Sequence, residues 1–153
     1  MRALELKIPP VAVGLIFGTV MWGAAHFAPV FNFTLPAGQL IAAGLAAIGL
    51  VIAVLGVVSF RRAKTTVNPL QPAAASSLVI SGIYRRTRNP MYLGLLLVLL
   101  GWGALLGNAL AFVFAAAFIP LMNRLQILPE ERFLAARFGT AFTAYQSAVR
   151  RWI

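Results

Sequence analysis

The sequence predicts an all-α polytopic membrane protein with about four transmembrane helices and a cytoplasmic C-terminal amphipathic helix. Its residues are 61% hydrophobic and only 10% charged, whereas soluble domains are about 25% charged. Its apolar runs approach the roughly 20 residues that a bilayer-spanning helix needs. Its 13 basic residues flank these runs instead of interrupting them. With 153 residues, we expect a single integral membrane domain, 1–153, with no separate soluble domain.

Four apolar segments account for the predicted spans. They cover 10–30, 37–60, 91–107 and 109–122. The connection between the first two carries no charge and contains two prolines, as a short turn does. Only Gly107 and Asn108 separate the last two, which predicts that the third and fourth spans form a tight helical hairpin.

The distribution of basic residues predicts the orientation in the membrane. With four spans, every lysine and arginine falls on one side, which by the positive-inside rule is the cytoplasmic side. We therefore expect both termini and the 61–89 loop to be cytoplasmic, in the plasma (inner) membrane. The N-terminal apolar run could also be a cleavable signal, although its length favours a span. The basic residues are Arg2, Lys7, Arg61, Arg62, Lys64, Arg85, Arg86, Arg88, Arg124, Arg132, Arg137, Arg150 and Arg151.

The C-terminal segment, 129–152, has the pattern of an amphipathic helix. Pro129 suits a first helical turn, and Glu130 and Glu131 follow it at the positive end of the helix dipole. Large apolar residues recur at spacings of three and four, with polar residues largely between them. We expect Gly139 to bend this helix. A helix lying on the inner leaflet and one covering the cytoplasmic mouth of the bundle both fit the pattern.

The small number of titratable residues narrows the possible chemistry. The chain has no cysteine and no aspartate, and His26 is its single histidine. Disulfides, thiolate chemistry and cysteine-ligated zinc are therefore excluded, and we expect no metal. Because the basic residues flank apolar spans, they predict contact with anionic membrane lipids and no binding of nucleic acid.

The polar residues of the predicted cytoplasmic face suggest an anion-binding site. The stretch RRTRNPMYLG (85–94) places three arginines before a helix start at Asn89–Pro90, with Tyr92 one turn inside. A helix N-terminus beside arginines suits an anion, and the Glu130–Glu131 pair could hold an ammonium group or ribose hydroxyls. S-adenosylmethionine combines these groups in one ligand. The same residues could also act as topology anchors, dipole caps and an interfacial tyrosine.

Three stretches resemble the integral membrane superfamily of isoprenylcysteine carboxyl methyltransferases and phospholipid methyltransferases. They are TTVNP (65–69), LVISGIYRRTRNPMYLG (78–94) and PEERFLAARFGTAFTAYQSAVRRW (129–152). The resemblance implies S-adenosylmethionine as cofactor, in a site built from about 65–153. Carried over by position, the cofactor-binding residues would be Asn89, Pro90, Tyr92, Leu93, Gly94, Glu130, Glu131, Leu134 and Phe138.

The resemblance also implies individual roles within that site. Gly94 would let the cofactor approach the backbone, and Leu134 and Phe138 would pack near its adenine. Asn89 departs from the family pattern, in which histidine is frequent, although an amide still forms hydrogen bonds.

The catalytic candidates are Arg88, Glu131 and Arg150, at the same membrane face. The arginines could orient an acceptor carboxylate, which needs no base, whereas an amine or thiol acceptor would need Glu130 or Glu131 as base. The predicted reaction is methylation of a lipophilic or small acceptor: a prenylcysteine-type carboxylate, a lipid headgroup or a thiol. A non-enzymatic membrane subunit and an NADPH-dependent relative of the sterol reductases remain the alternatives.

Overall fold

The computed structural model describes residues 5–63 and 77–153, and within these ranges the chain is helical without β-strands. The predicted all-α fold is therefore confirmed, and the predicted segments match the observed helices to within a few residues. The helices are α1 (Pro10–Phe27), α2 (Gly38–Arg62), α3 (Pro90–Leu106), α4 (Ala109–Met122) and α5 (Leu128–Ala148).

Local sequence signals explain where α3 and α4 begin and end. Pro90 is the first residue of α3, where its missing N–H removes no helical hydrogen bond. Gly107 ends α3 in the left-handed region, at φ 56°, a conformation that glycine adopts without a steric penalty. The side chain of Asn108 then caps α4 by accepting a hydrogen bond of 3.2 Å from the Ala111 amide. The predicted tight hairpin is therefore present.

Helix α3 lies at the centre of the fold, in contact with α1, α2 and α4. Small residues bring α2 and α3 together. A Cβ atom added at Gly101 would lie only 2.9 Å from the carbonyl oxygen of Ala42, and Gly49 and Gly94 face each other at the next contact along the pair. This is the packing expected for membrane helices, in which small side chains allow close backbone approach.

Alternating helix directions give the bundle two different ends. The charged end carries the start of α3 and the end of α2, and Phe60 of α2 packs there against Tyr84 with ring centroids 5.3 Å apart. The neutral end carries the turns 28–37 and 107–108, which contain no charged residue. There the Asn108 amide donates to Asn32 Oδ1 at 2.6 Å. Every described basic residue lies in a segment at the charged end, as the predicted topology requires.

Helices α4 and α5 form one continuous helical run, whereas the sequence predicted two separate helices. A π-helical turn, Asn123–Ile127, joins them. Pro129 cannot donate to the Leu125 carbonyl one turn earlier, but Leu6 donates its backbone N–H to that carbonyl at 3.0 Å. The carbonyl that the proline leaves free is therefore satisfied from the N-terminal segment, and the helical run continues through this position.

Three helical runs in the described ranges are long and apolar enough to cross a membrane. They are Pro10–Phe27, Gly38–Arg62 and the run 109–148, while α3 is a shorter apolar helix. These runs agree with the predicted membrane protein.

Helix α5 covers the charged end of the bundle. This position favours the predicted placement over the mouth of the bundle rather than the placement on the leaflet surface. Its backbone departs from helical geometry at Gly139 (φ 52°, ψ −126°), so the predicted bend is confirmed. Beyond the bend, Phe142 and Tyr145 are buried against Val79 and Tyr84 in a second apolar cluster. The apolar face of the amphipathic helix is therefore directed at the loop before α3.

Candidate functional site

The centre of the charged end is a buried ion-pair network. Arg88, directly before α3, donates from Nη2 to Glu131 Oε1 at 2.9 Å. Arg151 donates from Nε to the same oxygen at 3.0 Å and from Nη2 to Oε2 at 2.7 Å. The side chains of Arg88 and Glu131 are only 12% and 11% exposed. One carboxylate thus joins two arginines that are far apart in sequence.

A second contact links the same two helices beside this network. The hydroxyl of Tyr92 donates a hydrogen bond to Glu130 Oε1. Tyr92 is buried in the core shared by α1, α3 and α4, one helical turn inside the bundle from Arg88. The start of α3 and the first turn of α5 therefore meet through two side-chain pairs. Arg88 and Glu131 form an ion pair, and Tyr92 and Glu130 form a hydrogen bond.

The last turn of α5 and the residues after it lie against the start of α3 and hold Arg88 in place. Arg88 Nη1 donates to the carbonyls of Gln146 and Val149, both at 2.8 Å. Its backbone N–H donates to the Arg150 carbonyl at 3.1 Å. The Asn89 side chain donates to the Arg151 carbonyl at 2.9 Å. The C-terminal segment therefore forms a wall of the site.

The sequence proposed Arg150 as a catalytic residue, but the structure brings its neighbour into the network. The Arg150 side chain is exposed and only its backbone carbonyl contacts Arg88. The extended backbone at Val149 ends the helix, so the helical period no longer determines which arginine faces inward. Hydrogen bonds to Glu131 raise the pKa of Arg151, which keeps that guanidinium charged.

The other cofactor candidates fall into two groups. Asn89 and Pro90 are buried at the start of α3, beside the network. Leu134 and Phe138 pack against the second apolar cluster. This cluster adjoins the network because Val149, which also packs against it, accepts a hydrogen bond from Arg88 Nη1 at 2.8 Å. Within the cluster, Tyr145 donates its hydroxyl to the Tyr84 carbonyl at 2.7 Å. Burial raises the pKa of the Tyr84 phenol, so this tyrosine stays protonated at neutral pH.

Gly94 and Leu93 are the two cofactor candidates that lie inside the helix bundle, away from the ion-pair network. Gly94 faces Gly49 and Ala53 of α2, so the close approach at this glycine is between two helices. The sequence could not distinguish this from approach by a cofactor, because both need the absence of a side chain. Leu93 is buried, and its backbone N–H donates to the Asn89 carbonyl at 2.9 Å. The motif at 65–69 lies outside the described residues.

The network has an unbalanced charge and an unsatisfied donor. Two guanidinium groups share Glu131, while Glu130 accepts from Tyr92. Arg88 Nε is buried and has no hydrogen-bond partner among the described residues. A buried donor without a partner is costly, and here it leaves a position suited to an anionic group. Beside it, Glu130 offers a carboxylate to a cationic or hydroxyl-bearing group.

Comparison with known proteins identifies a family model that matches most of the chain. The profile described as phospholipid methyltransferase matches residues 38–141, a range that includes α2, α3, α4 and the first part of α5. An uncharacterized protein of Haemophilus influenzae is 46% identical over 63 residues, which are 41% of this chain and the whole of that protein. No solved structure matches the chain.

Proposed function

This chain belongs to the phospholipid methyltransferase family, and on that premise we propose that it transfers a methyl group from S-adenosylmethionine at the charged end. The acceptor is a lipophilic or small molecule that arrives from the bilayer. The main support for this proposal is the position of two residue pairs. The Arg88–Glu131 pair, 43 residues apart in sequence, lies beside the Tyr92–Glu130 pair, so the two motifs converge on one polar site in an apolar bundle.

The residues present suit the groups of that cofactor. Arg88, with its buried unpartnered Nε, would hold the carboxylate, since guanidinium groups bind carboxylates through charge-assisted hydrogen bonds. Glu130 would accept hydrogen bonds from the amine or from ribose hydroxyls. Leu134 and Phe138 would cover the adenine. When bound, S-adenosylmethionine supplies a methyl group made electrophilic by its sulfonium.

The chain's own part in the reaction is positioning and control of charge. Holding two reactants in line can supply several kcal/mol of barrier reduction, roughly 7–11 kcal/mol in well-oriented cases. An acceptor carboxylate would need only an arginine to orient it, as Arg88 or Arg151 could do. An amine or thiol acceptor would lose its proton to Glu130 or Glu131, the two carboxylates that lie beside Tyr92 and Arg88.

Isothermal titration of the purified protein with S-adenosylhomocysteine tests the cofactor. We expect saturable binding that weakens at least tenfold in Glu130→Gln, because the variant keeps the shape of the side chain but loses the carboxyl group. Arg124→Gln is the control, since this exposed residue lies at the same end of the bundle outside the network. Absence of binding by a folded protein contradicts the proposal.

The same titration separates the alternatives. A non-enzymatic subunit would bind neither ligand, and a relative of the sterol reductases would bind NADPH in place of S-adenosylhomocysteine. Methyl transfer from labelled cofactor to a lipid extract, followed by chromatography of the labelled product, would then identify the acceptor class.

We also propose that the charged end faces the cytoplasm of the plasma membrane, which the positive-inside distribution supports. The chain contains no cysteine, so a single Arg137→Cys substitution gives an unambiguous reporter. A membrane-impermeant maleimide should label it in inverted vesicles and not in intact cells. Labelling in intact cells would contradict this orientation.

A further inference from the structure

The three arginines before α3 divide between two surfaces. Arg88 points into the network with Glu131, whereas Arg85 and Arg86 are exposed. Together with Gly82, these two arginines line a concavity of about 530 Å³. The concavity is separate from the proposed methyl-transfer site, because none of its lining residues takes part in that network.

A second pair of arginines lies next to this concavity. Arg61 and Arg62 end α2, and that end is packed against the segment that carries Arg85. A Cβ atom added at Gly82 would lie 2.9 Å from Ser59 Oγ, and the rings of Phe60 and Tyr84 are 5.3 Å apart. The four exposed arginines therefore occupy one surface at the membrane boundary. We call Arg61, Arg62, Arg85 and Arg86 the arginine patch.

The chain has no carboxylate side chain left to neutralise the arginine patch. Its acidic residues are Glu5, Glu130 and Glu131. Glu5 pairs with Arg132, Glu131 pairs with Arg88 and Arg151, and Glu130 accepts from Tyr92. Within residues 5–63 and 77–153, none of the four patch side chains forms an ion pair or a hydrogen bond. Among the described residues, no carboxylate side chain is therefore left to balance these four charges, and an external anion can do so.

We propose that the arginine patch is a binding site for the phosphate of an anionic phospholipid, with Arg85 and Arg86 forming its floor. Basic pockets at the ends of transmembrane helices bind anionic headgroups, and guanidinium groups match phosphate geometry with two parallel hydrogen bonds. Ile80, beside the patch, is 51% exposed, which suits contact with the acyl region of a lipid more than with a free phosphate ion. The inference does not depend on the proposed methyl transfer.

Native mass spectrometry of the full chain in detergent tests this site with defined probes. The lipid arms are phosphatidylglycerol, which is anionic, and phosphatidylcholine, which is zwitterionic. The soluble arms are glycerophosphoglycerol and inorganic phosphate, which carry the phosphate without the acyl chains. The test variant is Arg85→Gln/Arg86→Gln. The control is Arg124→Gln/Arg137→Gln, which removes the same charge from exposed positions elsewhere at the charged end.

We expect phosphatidylglycerol to bind more tightly than phosphatidylcholine, and the test variant to weaken that binding by about 30-fold, given roughly five- to sixfold for each basic residue near the surface. The control variant should lose less than about threefold, since charges beyond a Debye length are screened. Equal losses in the two variants would show that only net charge matters and would overturn the proposal. Equally tight binding of either soluble probe, or no preference for phosphatidylglycerol, would overturn it as well.

Discussion

Both ends of the bundle connect separate chain segments through side-chain hydrogen bonds, but one end uses neutral amides and the other uses charged groups. At the neutral end, the amide of fully buried Asn108 donates to Asn32 Oδ1 and to the Ala28 carbonyl, and its oxygen caps α4. At the charged end, Glu131 holds two arginines and Glu130 holds Tyr92. Neutral amides are enough to connect two turns. The charges of the other end therefore exceed what assembly of the bundle requires, which is the pattern expected of a functional site.

Glu131→Gln should give the largest loss of stability, because it leaves the Arg88 and Arg151 guanidinium groups without their carboxylate. Breaking a buried pair costs roughly 3–5 kcal/mol. Because the Arg151 side chain is 33% exposed, we expect about 2–3 kcal/mol, measured by denaturant unfolding in detergent.

Glu5→Gln is the matched control for that substitution. It also removes one glutamate from an ion pair, but its partner Arg132 is 60% exposed, and exposed pairs contribute roughly 0–1 kcal/mol. Equal losses in the two variants would mean that burial of the Glu131 network contributes nothing of its own.

Asn108→Ala should destabilise the neutral end by about 2 kcal/mol, through the lost helix cap and the unsatisfied groups around it. Thermal unfolding in detergent measures this loss. Asn32→Ala should cost less, because Asn108 keeps its bond to the Ala28 carbonyl. If Asn32→Ala costs as much as Asn108→Ala, the cap on α4 is not the main contribution.

Tyr92→Phe should have the smallest effect on stability and a clear effect on ligand binding. It removes one hydroxyl and leaves the ring in the core, so we expect about 1 kcal/mol of destabilisation. Binding of S-adenosylhomocysteine should weaken about tenfold, which corresponds to about 1.4 kcal/mol.

Tyr145→Phe removes the equivalent hydroxyl from the second apolar cluster, where it bonds the Tyr84 carbonyl. This control should lose similar stability and keep its affinity. A Tyr145→Phe variant that lost affinity as strongly as Tyr92→Phe would show that loosening the charged end is enough to weaken binding.

Regular features of the fold were predictable from sequence because local signals determine them. The helix starts at Pro10 and Pro90, the Gly107–Asn108 hairpin and the bend at Gly139 each depend on a single residue with a restricted or permissive backbone. The continuity of α4 with α5 was not predictable from local signals, because a proline lies at the junction and the carbonyl that it leaves free accepts from Leu6, more than a hundred residues earlier.

The candidate site was predictable only in part, for a similar reason. The sequence predicted that Arg88, Tyr92 and the glutamate pair lie at the same membrane face. It named Arg150 as a catalytic candidate, whereas the arginine that pairs with Glu131 in the structure is Arg151, because the extended backbone after α5 changes which side chain points inward. It also assigned Gly94 to the cofactor, because only the packed helices show that α2 lies against this glycine.

We infer that the charged end binds the cofactor, whereas the neutral end contributes only to the stability of the fold. The most direct test is the rise in melting temperature caused by saturating S-adenosylhomocysteine in Glu130→Gln and in Asn108→Ala, measured side by side with the wild type. We predict that Asn108→Ala melts at a lower temperature yet keeps the full ligand-induced rise. Glu130→Gln should melt close to the wild type and lose that rise. A ligand-induced rise that survives in Glu130→Gln and disappears in Asn108→Ala would contradict the claim.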